Sequence, residues 1–310
     1  MSKISTRKIT CKNCGEKFDA DIYDSVNVDL DPDLREKFIF DELYAYKCPH
    51  CKEMMFYAYP ILYHDMKHKF MVQSGNLAHV YREFYNIFNK KSDDELTKMI
   101  NLAHEGYTFV AATTTTLARE KVVALENGLD HRIVALYRYH EMLHYNQYAK
   151  KNDKPLCHNS YLCYSDDGKL SFIYEVYDET SKSGTCFCSD FDMEYYNEMK
   201  KNLESLFSDT EGFLFNDYSV INFLNWCKGD KKNIVVRKYA VIIDEKGEEY
   251  FASVALTDEF VENETVDIHF KDDVIEGKVV SVCEFSEIDA PFDLREANSI
   301  IVTKKGLKNE

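Results

Sequence analysis

Two Cys-x-x-Cys pairs near the N-terminus constrain the fold of this chain more than any other feature. The first is Cys11-Lys12-Asn13-Cys14 and the second is Cys48-Pro49-His50-Cys51. Two thiolates spaced this way on a tight turn reach one metal ion, and two such turns supply the four sulfurs of a closed zinc site. Gly15 follows the first pair, where a knuckle favours positive φ. The sequence therefore predicts a structural zinc ion bound by Cys11, Cys14, Cys48 and Cys51.

Redox chemistry and disulfides are the alternatives for these cysteines. A thioredoxin-like motif uses one Cys-x-x-Cys pair, whereas this chain has two. A disulfide framework needs an oxidising compartment, but residues 1–10 are polar and basic, without the apolar run of a signal peptide. Ten cysteines without such a signal indicate a reducing compartment, so we expect a cytoplasmic protein.

The loop between the two pairs is longer than in a simple zinc ribbon, where about 15 to 20 residues are usual. It runs from Gly15 to Lys47 and contains a helix signal. Asp31 suits the N-cap and Pro32 the first helical position, and apolar residues follow at helical spacing. We therefore expect a helical insertion with one buried face, formed by Leu34, Phe38 and Leu43.

Several further stretches accompany the cysteine pairs: Asp31-Pro32-x-Leu34, Pro60-Ile61-Leu62-Tyr63-His64-Asp65, Leu117-Ala118-Arg119-Glu120-Lys121 and Gly128-Leu129-Asp130-His131-Arg132-Ile133. Through these stretches and both cysteine pairs, residues 8–150 resemble the CpXC domain family. Lys12 stands where the family often has proline, which is not a metal ligand. The resemblance implies a bacterial or archaeal zinc-ribbon protein of unknown activity.

The middle of the chain alternates between helix and strand patterns. Helices are expected over residues 77–88, from 93 onward behind a capping-like Ser92-x-x-Glu95, over 117–128 with an Asn127-Gly128 stop, and over 129–150 with Asp130 as the cap. Strands are expected at 159–164 and 170–176, followed by helices at 193–206 and 218–226. This pattern predicts an α/β region with no phosphate-binding loop and no nucleophile elbow.

A second metal motif lies in the helix predicted over residues 129–150. His140-Glu141-Met142-Leu143-His144 fits the His-Glu-x-x-His signature, in which two histidines bind zinc and the glutamate is the general base. A pattern this short can arise by chance. In addition, Arg138 is charged where helices of such zinc sites are usually uncharged, and Asn146 is polar where an apolar residue is usual. Glu175 and Glu179 are the candidate third ligands. The competing interpretation is a surface helix with two solvated or packed histidines.

A further group of cysteines is spaced poorly for a metal knuckle. Cys186-x-Cys188 places two thiols apart along a strand, and cysteine serves well as a small buried apolar residue. We therefore interpret this group as structural; it comprises Cys157 with His158, Cys163, Cys186 and Cys188.

The C-terminal region predicts a separate module. Five short strand-like segments follow a polar connector at 228–233, a pattern typical of a small SH3-like or OB-like barrel over residues 235–303. The region weakly resembles the N-terminal barrel of the primosomal helicase through residues 266–270 and 277–280, which would imply DNA binding. Its strands and turns are crowded with Asp and Glu, whereas a face that binds phosphate is basic.

The predicted architecture is α+β in three parts. It comprises a zinc ribbon with a helical insertion (1–90), an α/β middle region (91–230) and a small β-barrel (235–303). The net charge of 38 − 54 = −16 disfavours nucleic acid, and no apolar run reaches membrane-span length. We expect a non-enzymatic interaction or adaptor protein that binds another protein or a second copy of itself. A zinc-dependent hydrolase using His140, Glu141 and His144 and a nucleic-acid-associated adaptor are the alternatives.

Overall fold

The structure, a computed structural model, describes residues 2–76, 80, 102–103, 105–178, 183–207, 213–229, 234–255, 257–271, 273–288 and 290–305. These residues form a mixed α+β fold that divides into two compact units. The first unit combines Met1–Gly75 with Leu102–Leu206, and the second combines Asn76–Asn101 with Phe207–Glu310. The helices expected over 77–88 and from 93 onward lie almost entirely outside the described residues. The division at 1–90, 91–230 and 235–303 stays a prediction.

The first unit begins with a five-stranded sheet and a separate two-stranded hairpin. The sheet has the order β1-β2-β5-β6-β7, in which β2 pairs with β5 and β6 with β7 in parallel and the other pairs are antiparallel. Strands β3 and β4 form the hairpin. The strands are β1 (Lys3–Thr10), β2 (Lys17–Asn27), β3 (Ala45–Lys47), β4 (Met54–Phe56), β5 (Leu62–Asp65), β6 (Phe70–Ser74) and β7 (Thr108–Ala112).

The expected helical insertion is present between β2 and β3 as helix α1 (Asp33–Ile39). Leu34, Phe38 and Leu43 are buried, as its apolar spacing predicted. The predicted N-cap is wrong: the α1 N-terminus has no side-chain cap, and the Asp31 carboxylate accepts instead from the backbone N–H of Ser2 at 3.1 Å. The Asp31 side chain is therefore bound by the residue before β1 and does not cap the helix.

Two longer helices follow, α2 (Thr115–Glu126) and α3 (His131–Lys151), and both were predicted from the sequence. The Thr114 side chain caps α2 and the Asp130 side chain caps α3, and each accepts a backbone N–H of the first turn. Gly128 takes φ +68° after α2, which glycine adopts without strain. The stop signal in the sequence therefore separates the two helices as expected.

A three-stranded antiparallel sheet packs on α3. Its order is β10-β9-β8, with β8 (Cys157–Tyr164), β9 (Leu170–Asp178) and β10 (Ser183–Asp190), and helix α4 (Met193–Phe207) follows it. The Tyr137 ring of α3 meets Phe172 of β9 edge-on at 4.9 Å. Aromatic contacts of this kind fix the helix across the sheet.

Helix α2 buries three consecutive charged residues, Arg119, Glu120 and Lys121. Successive helical side chains point about 100° apart, so the three reach different neighbours. Arg119 forms an ion pair with Asp41 at 3.0 Å and lies over the ring of Tyr161. Burial of this kind requires a partner for each charge, so α2 lies at the centre of the first unit.

Glu120 pairs with Arg138 of α3, and together they close the outer edge of β8. Nε of Arg138 lies 3.0 Å from Oε2 of Glu120, and both side chains are almost fully buried. The same Oε2 accepts from the backbone N–H of Leu162 (3.0 Å), while Nη1 of Arg138 donates to the carbonyl of Ser160 (3.1 Å). The unpaired backbone groups of an open strand edge can pair with a strand of another chain, and this ion pair binds two of those groups on β8.

Lys121 is a buried amine whose titration should be visible in the pH dependence of stability. Its Nζ lies 3.4 Å from Nδ1 of His131. Burial lowers the pKa of Lys121 to about 7, although the carboxylates of Glu120 and Asp130 oppose the shift. An unfolded lysine keeps its proton up to a pH of about 10.4, so the folded state binds fewer protons between these two values. Stability contributed by this site therefore rises with pH across that window.

We expect the unfolding free energy of the wild type to rise by about 2 kcal/mol relative to Lys121→Met between pH 7 and pH 9. Urea unfolding followed by circular dichroism at a series of pH values measures this difference. Lys150→Met, which removes an exposed lysine from α3, should keep the wild-type pH profile. Parallel pH profiles for the wild type and Lys121→Met would contradict a neutral buried amine.

The second unit contains helix α5 (Asp217–Lys228) and a five-stranded antiparallel sheet of order β12-β11-β14-β13-β15. Its elements are β11 (Val236–Asp244), β12 (Glu249–Val254), β13 (Thr265–Phe270), β14 (Asp273–Ser286), helix α6 (Leu294–Ala297) and β15 (Ile301–Lys304). All five strands lie where the sequence predicted strands.

The expected closed barrel is not found in the described part of the chain, where no ladder joins β12 to β15. The segment before β15 packs against one face of the sheet. Phe292 stacks on Phe251 at 4.5 Å and packs edge-on against Tyr239, while Asn222 of α5 donates to the carbonyls of Ala290 and Phe292. The main core of the unit lies on the opposite face of β11, around Ala240 and Ile242.

Candidate metal centre

The first cysteine pair lies in the turn that joins β1 to β2. The backbone N–H of Cys11 donates to the carbonyl of Glu16 (2.8 Å), and that of Gly15 donates to the carbonyl of Cys11 (2.9 Å). Gly15 has φ +77°, as its position after the pair predicted. The turn closes on the strand pair Thr10 and Lys17, so the hairpin holds both thiols at one end.

The second pair lies in the turn between β3 and β4 and repeats the same bonds. The N–H of Cys48 donates to the carbonyl of Glu53 (2.9 Å), and the N–H of Lys52 donates to the carbonyl of Cys48 (3.0 Å). Lys52 takes φ +67° at the position equivalent to Gly15. This conformation was not predictable from the residue type, because lysine rarely adopts a left-handed backbone. The two knuckles therefore share one backbone geometry.

The two knuckles bring all four cysteine sulfurs together. The four Sγ atoms lie within 4.8 Å of one another, with Cys11 3.7 Å from Cys51 and Cys14 3.8 Å from Cys48. A tetrahedron with the usual Zn–S length of about 2.3 Å has edges of about 3.8 Å between its sulfurs. Four sulfurs at this spacing could hold one metal ion.

The first cysteine of each pair faces the protein and the second faces solvent. Cys11 and Cys48 are buried, whereas Cys14 is exposed and Cys51 is half-buried. Such a site lies at the surface yet is anchored from the inside. A metal ion there would cross-link two hairpins that are separated by the whole helical insertion.

The pKa values of the Cys51 and Cys14 thiols are shifted in opposite directions. The backbone N–H of Glu53 and the side chain of Asn13 lower the pKa of Cys51 to about 6. At Cys14 the backbone N–H of Glu16 lowers the pKa, but burial and hydrogen bonds with the other thiols outweigh it and raise the pKa to about 12. Four thiolates this close need a cation, so metal binding would displace the remaining protons.

The His-Glu-x-x-His residues lie on the exposed half of α3. The rings of His140 and His144 are 4.1 Å apart, as helical spacing predicted. Glu141 lies 3.6 Å from His140 (Oε1 to Nδ1), and the hydroxyl of Tyr195 is 3.2 Å from the same nitrogen. No third ligand joins the two histidines among the described residues.

The two proposed third ligands do not reach this pair in the described structure. Glu175 lies on β9, where its carboxylate accepts from the side chain of Asn159 at 2.9 Å. Glu179 lies outside the described residues. The hydrolase interpretation therefore stays a prediction, with two of its three metal ligands adjacent.

The remaining cysteines form no metal cluster in the described part of the chain. Cys157 and Cys163 are buried in β8, and burial raises the pKa of both thiols. Cys186 and Cys188 are exposed on β10, whereas the sequence suggested small buried residues. Phe187 between them packs on Tyr145 of α3 at 4.8 Å, so by strand alternation Cys186 and Cys188 lie on the opposite, exposed face of the sheet.

The described residues thus form an α+β protein with a zinc-ribbon-like four-cysteine site. The model of a family described as CpXC protein matches residues 9–138 of this chain, which confirms the resemblance seen in the sequence. The matched segment contains both cysteine pairs and ends at Arg138, before the His140 motif. No curated protein and no solved structure matches the chain. Among the described helices, none is long and apolar enough to span a membrane.

Proposed function

We propose that this chain is a non-enzymatic interaction protein whose N-terminal ribbon is held by one structural Zn²⁺. The observation that carries the proposal is the tetrahedral spacing of the sulfurs of Cys11, Cys14, Cys48 and Cys51. Thiolate sets of this kind favour Zn²⁺ among the common divalent ions of the cell. The resemblance to CpXC proteins supports a ribbon and leaves the activity open.

The coordination chemistry favours a structural role over a catalytic one. A catalytic zinc keeps one position open for water or substrate, whereas four cysteine ligands fill the shell. The β3–β4 hairpin instead exposes apolar side chains to solvent: Met54 is 62% exposed and Phe56 is 45% exposed. Apolar exposure beside a rigid metal knuckle suits contact with another protein.

Metal stoichiometry tests this proposal against the hydrolase alternative. Elemental analysis of the natively purified protein should give close to one zinc per chain. The double variant His140→Gln with His144→Gln should keep that zinc, and Glu141→Gln should keep the wild-type melting temperature. Protein without zinc would overturn the proposal. A second zinc that depends on His140 and His144 would instead favour the hydrolase.

The nucleic-acid alternative depends on charge. The net charge of −16 opposes phosphate binding, which supplies most non-specific affinity for DNA. We therefore expect no gel shift with duplex DNA at physiological salt. The lysines expected to mediate it are Lys228, Lys231 and Lys232; Lys228 is the last residue of α5, and the other two lie outside the described residues.

A further inference from the structure

The outer strand β10 exposes most of its residues to solvent, including all of 184–188. It pairs with β9 on one side, and no described strand lies on the other. The N–H of Phe191 donates to the carbonyl of Leu170, so by strand alternation the even-numbered residues of β10 direct their backbone groups outward. Those residues are Gly184, Cys186, Cys188 and Asp190, and all are exposed.

The opposite edge of the same sheet, strand β8, has outward backbone groups that are bound by side chains. There the Glu120–Arg138 pair binds the outward backbone groups of Leu162 and Ser160. Solvent-exposed edges are usually protected by charges, proline or a bulge. The segment from Ser183 to Ser189 contains none of these: it has no charged residue and no proline, and its register with β9 is regular.

We propose that β10 pairs with β10 of a second copy of this chain, antiparallel and about a two-fold axis at Phe187. This register overlaps residues 184–190 fully and places Cys186 opposite Cys188 of the partner copy. The outward backbone groups of both strands then face one another. The result is a continuous six-stranded sheet whose two outer edges are both closed by the Glu120–Arg138 pair.

Self-complementarity favours a second copy as the occupant, because a two-fold contact pairs this edge with an identical edge. Two chains of net charge −16 repel each other, so such a contact needs a segment without charge, and residues 183–189 carry none. An eight-residue strand is only about 27 Å long, so the contact is small and we expect a weak, concentration-dependent dimer.

Sedimentation velocity over a range from low to several hundred micromolar, with reductant present, tests the dimer. The wild type should pass from monomer to dimer. The variant Cys186→Lys with Cys188→Lys should stay monomeric or bind at least tenfold more weakly, because each lysine faces a lysine of the other copy. The control Val261→Lys with Val274→Lys adds the same charge at exposed positions of the second unit and should dimerise.

Thiol cross-linking tests the register with variants that leave the fold alone. Diamide accepts two protons and two electrons from Cys186 and Cys188 of the two copies as the S–S bond forms. Antiparallel partners lie about 5.5 Å apart at Cα, a separation that a disulfide spans. Peptide mapping should find the Cys186–Cys188 link in the metal-loaded wild type, and either Cys186→Ser or Cys188→Ser should remove it.

A wild type that stays monomeric, or a dimer that survives both lysines, overturns the proposal. A link between two copies of the same cysteine in either serine variant overturns the register centred on Phe187. The inference does not depend on the metal centre. The lysine variant should keep one zinc per chain, so failure of the dimer and failure of the zinc proposal give different results.

Discussion

Replacing Cys11 and Cys14 together by serine should remove the metal and unfold the β3–β4 hairpin. Two of the four sulfurs are lost, and the remaining Cys48 and Cys51 cannot complete a tetrahedral site. Structural zinc contributes about 10–16 kcal/mol of apparent binding free energy to small domains. A two-stranded hairpin with three residues in each strand is not stable alone.

Elemental analysis and amide hydrogen exchange measure the two parts of this result. Zinc should fall to near zero, and protection of Ala45–Lys47 and Met54–Phe56 should approach that of an unfolded chain. The variant Cys186→Ser with Cys188→Ser removes two exposed cysteines from β10 and should change neither quantity. Unchanged zinc in the Cys11 and Cys14 variant would place the metal elsewhere.

Replacing Arg138 by methionine should destabilise the first unit by about 3–5 kcal/mol, the usual effect of removing one partner from a buried ion pair. The variant leaves the Glu120 carboxylate buried without its cation, and it removes the donor to the carbonyl of Ser160. Burial of a charge in this state is far more unfavourable than loss of the contact itself.

Urea unfolding of the Arg138→Met protein, followed by circular dichroism, measures this loss. Lys8→Met breaks an exposed pair with Asp19 and should change stability by less than about 1 kcal/mol. Adding Glu120→Gln to Arg138→Met should recover part of the loss, because the remaining side chain is neutral. A loss no larger than that of Lys8→Met would contradict the role assigned to the pair.

Features with a local chemical cause were predictable from the sequence. The Cys-x-x-Cys spacing and Gly15 predicted the knuckles, and the Asp130 cap and the Gly128 stop predicted the two helices. Each of these signals acts within a few residues of the chain.

Features decided by distant neighbours were not predictable. No local pattern in the sequence indicates that Arg119, Glu120 and Lys121 are buried, because residues far along the chain supply partners such as Asp41 and the N–H of Leu162. Asp31 is a residue type that commonly caps helices, but its carboxylate accepts a hydrogen bond from the N–H of Ser2 instead. Strand content predicted the C-terminal sheet, but whether its outer strands β12 and β15 pair depends on segments far apart in the sequence, and they do not pair.

The Glu120–Arg138 pair also sets the smallest piece of this chain that can fold by itself. Glu120 and Arg138 both lie within the segment 9–138 that the family shares, but the strand they bind, β8, begins at Cys157. A protein cut at residue 138 would keep the pair but lose the backbone N–H of Leu162 and the carbonyl of Ser160 that the pair binds. The two helices and β8 therefore depend on one another, and we expect a stable fragment to extend at least through β8.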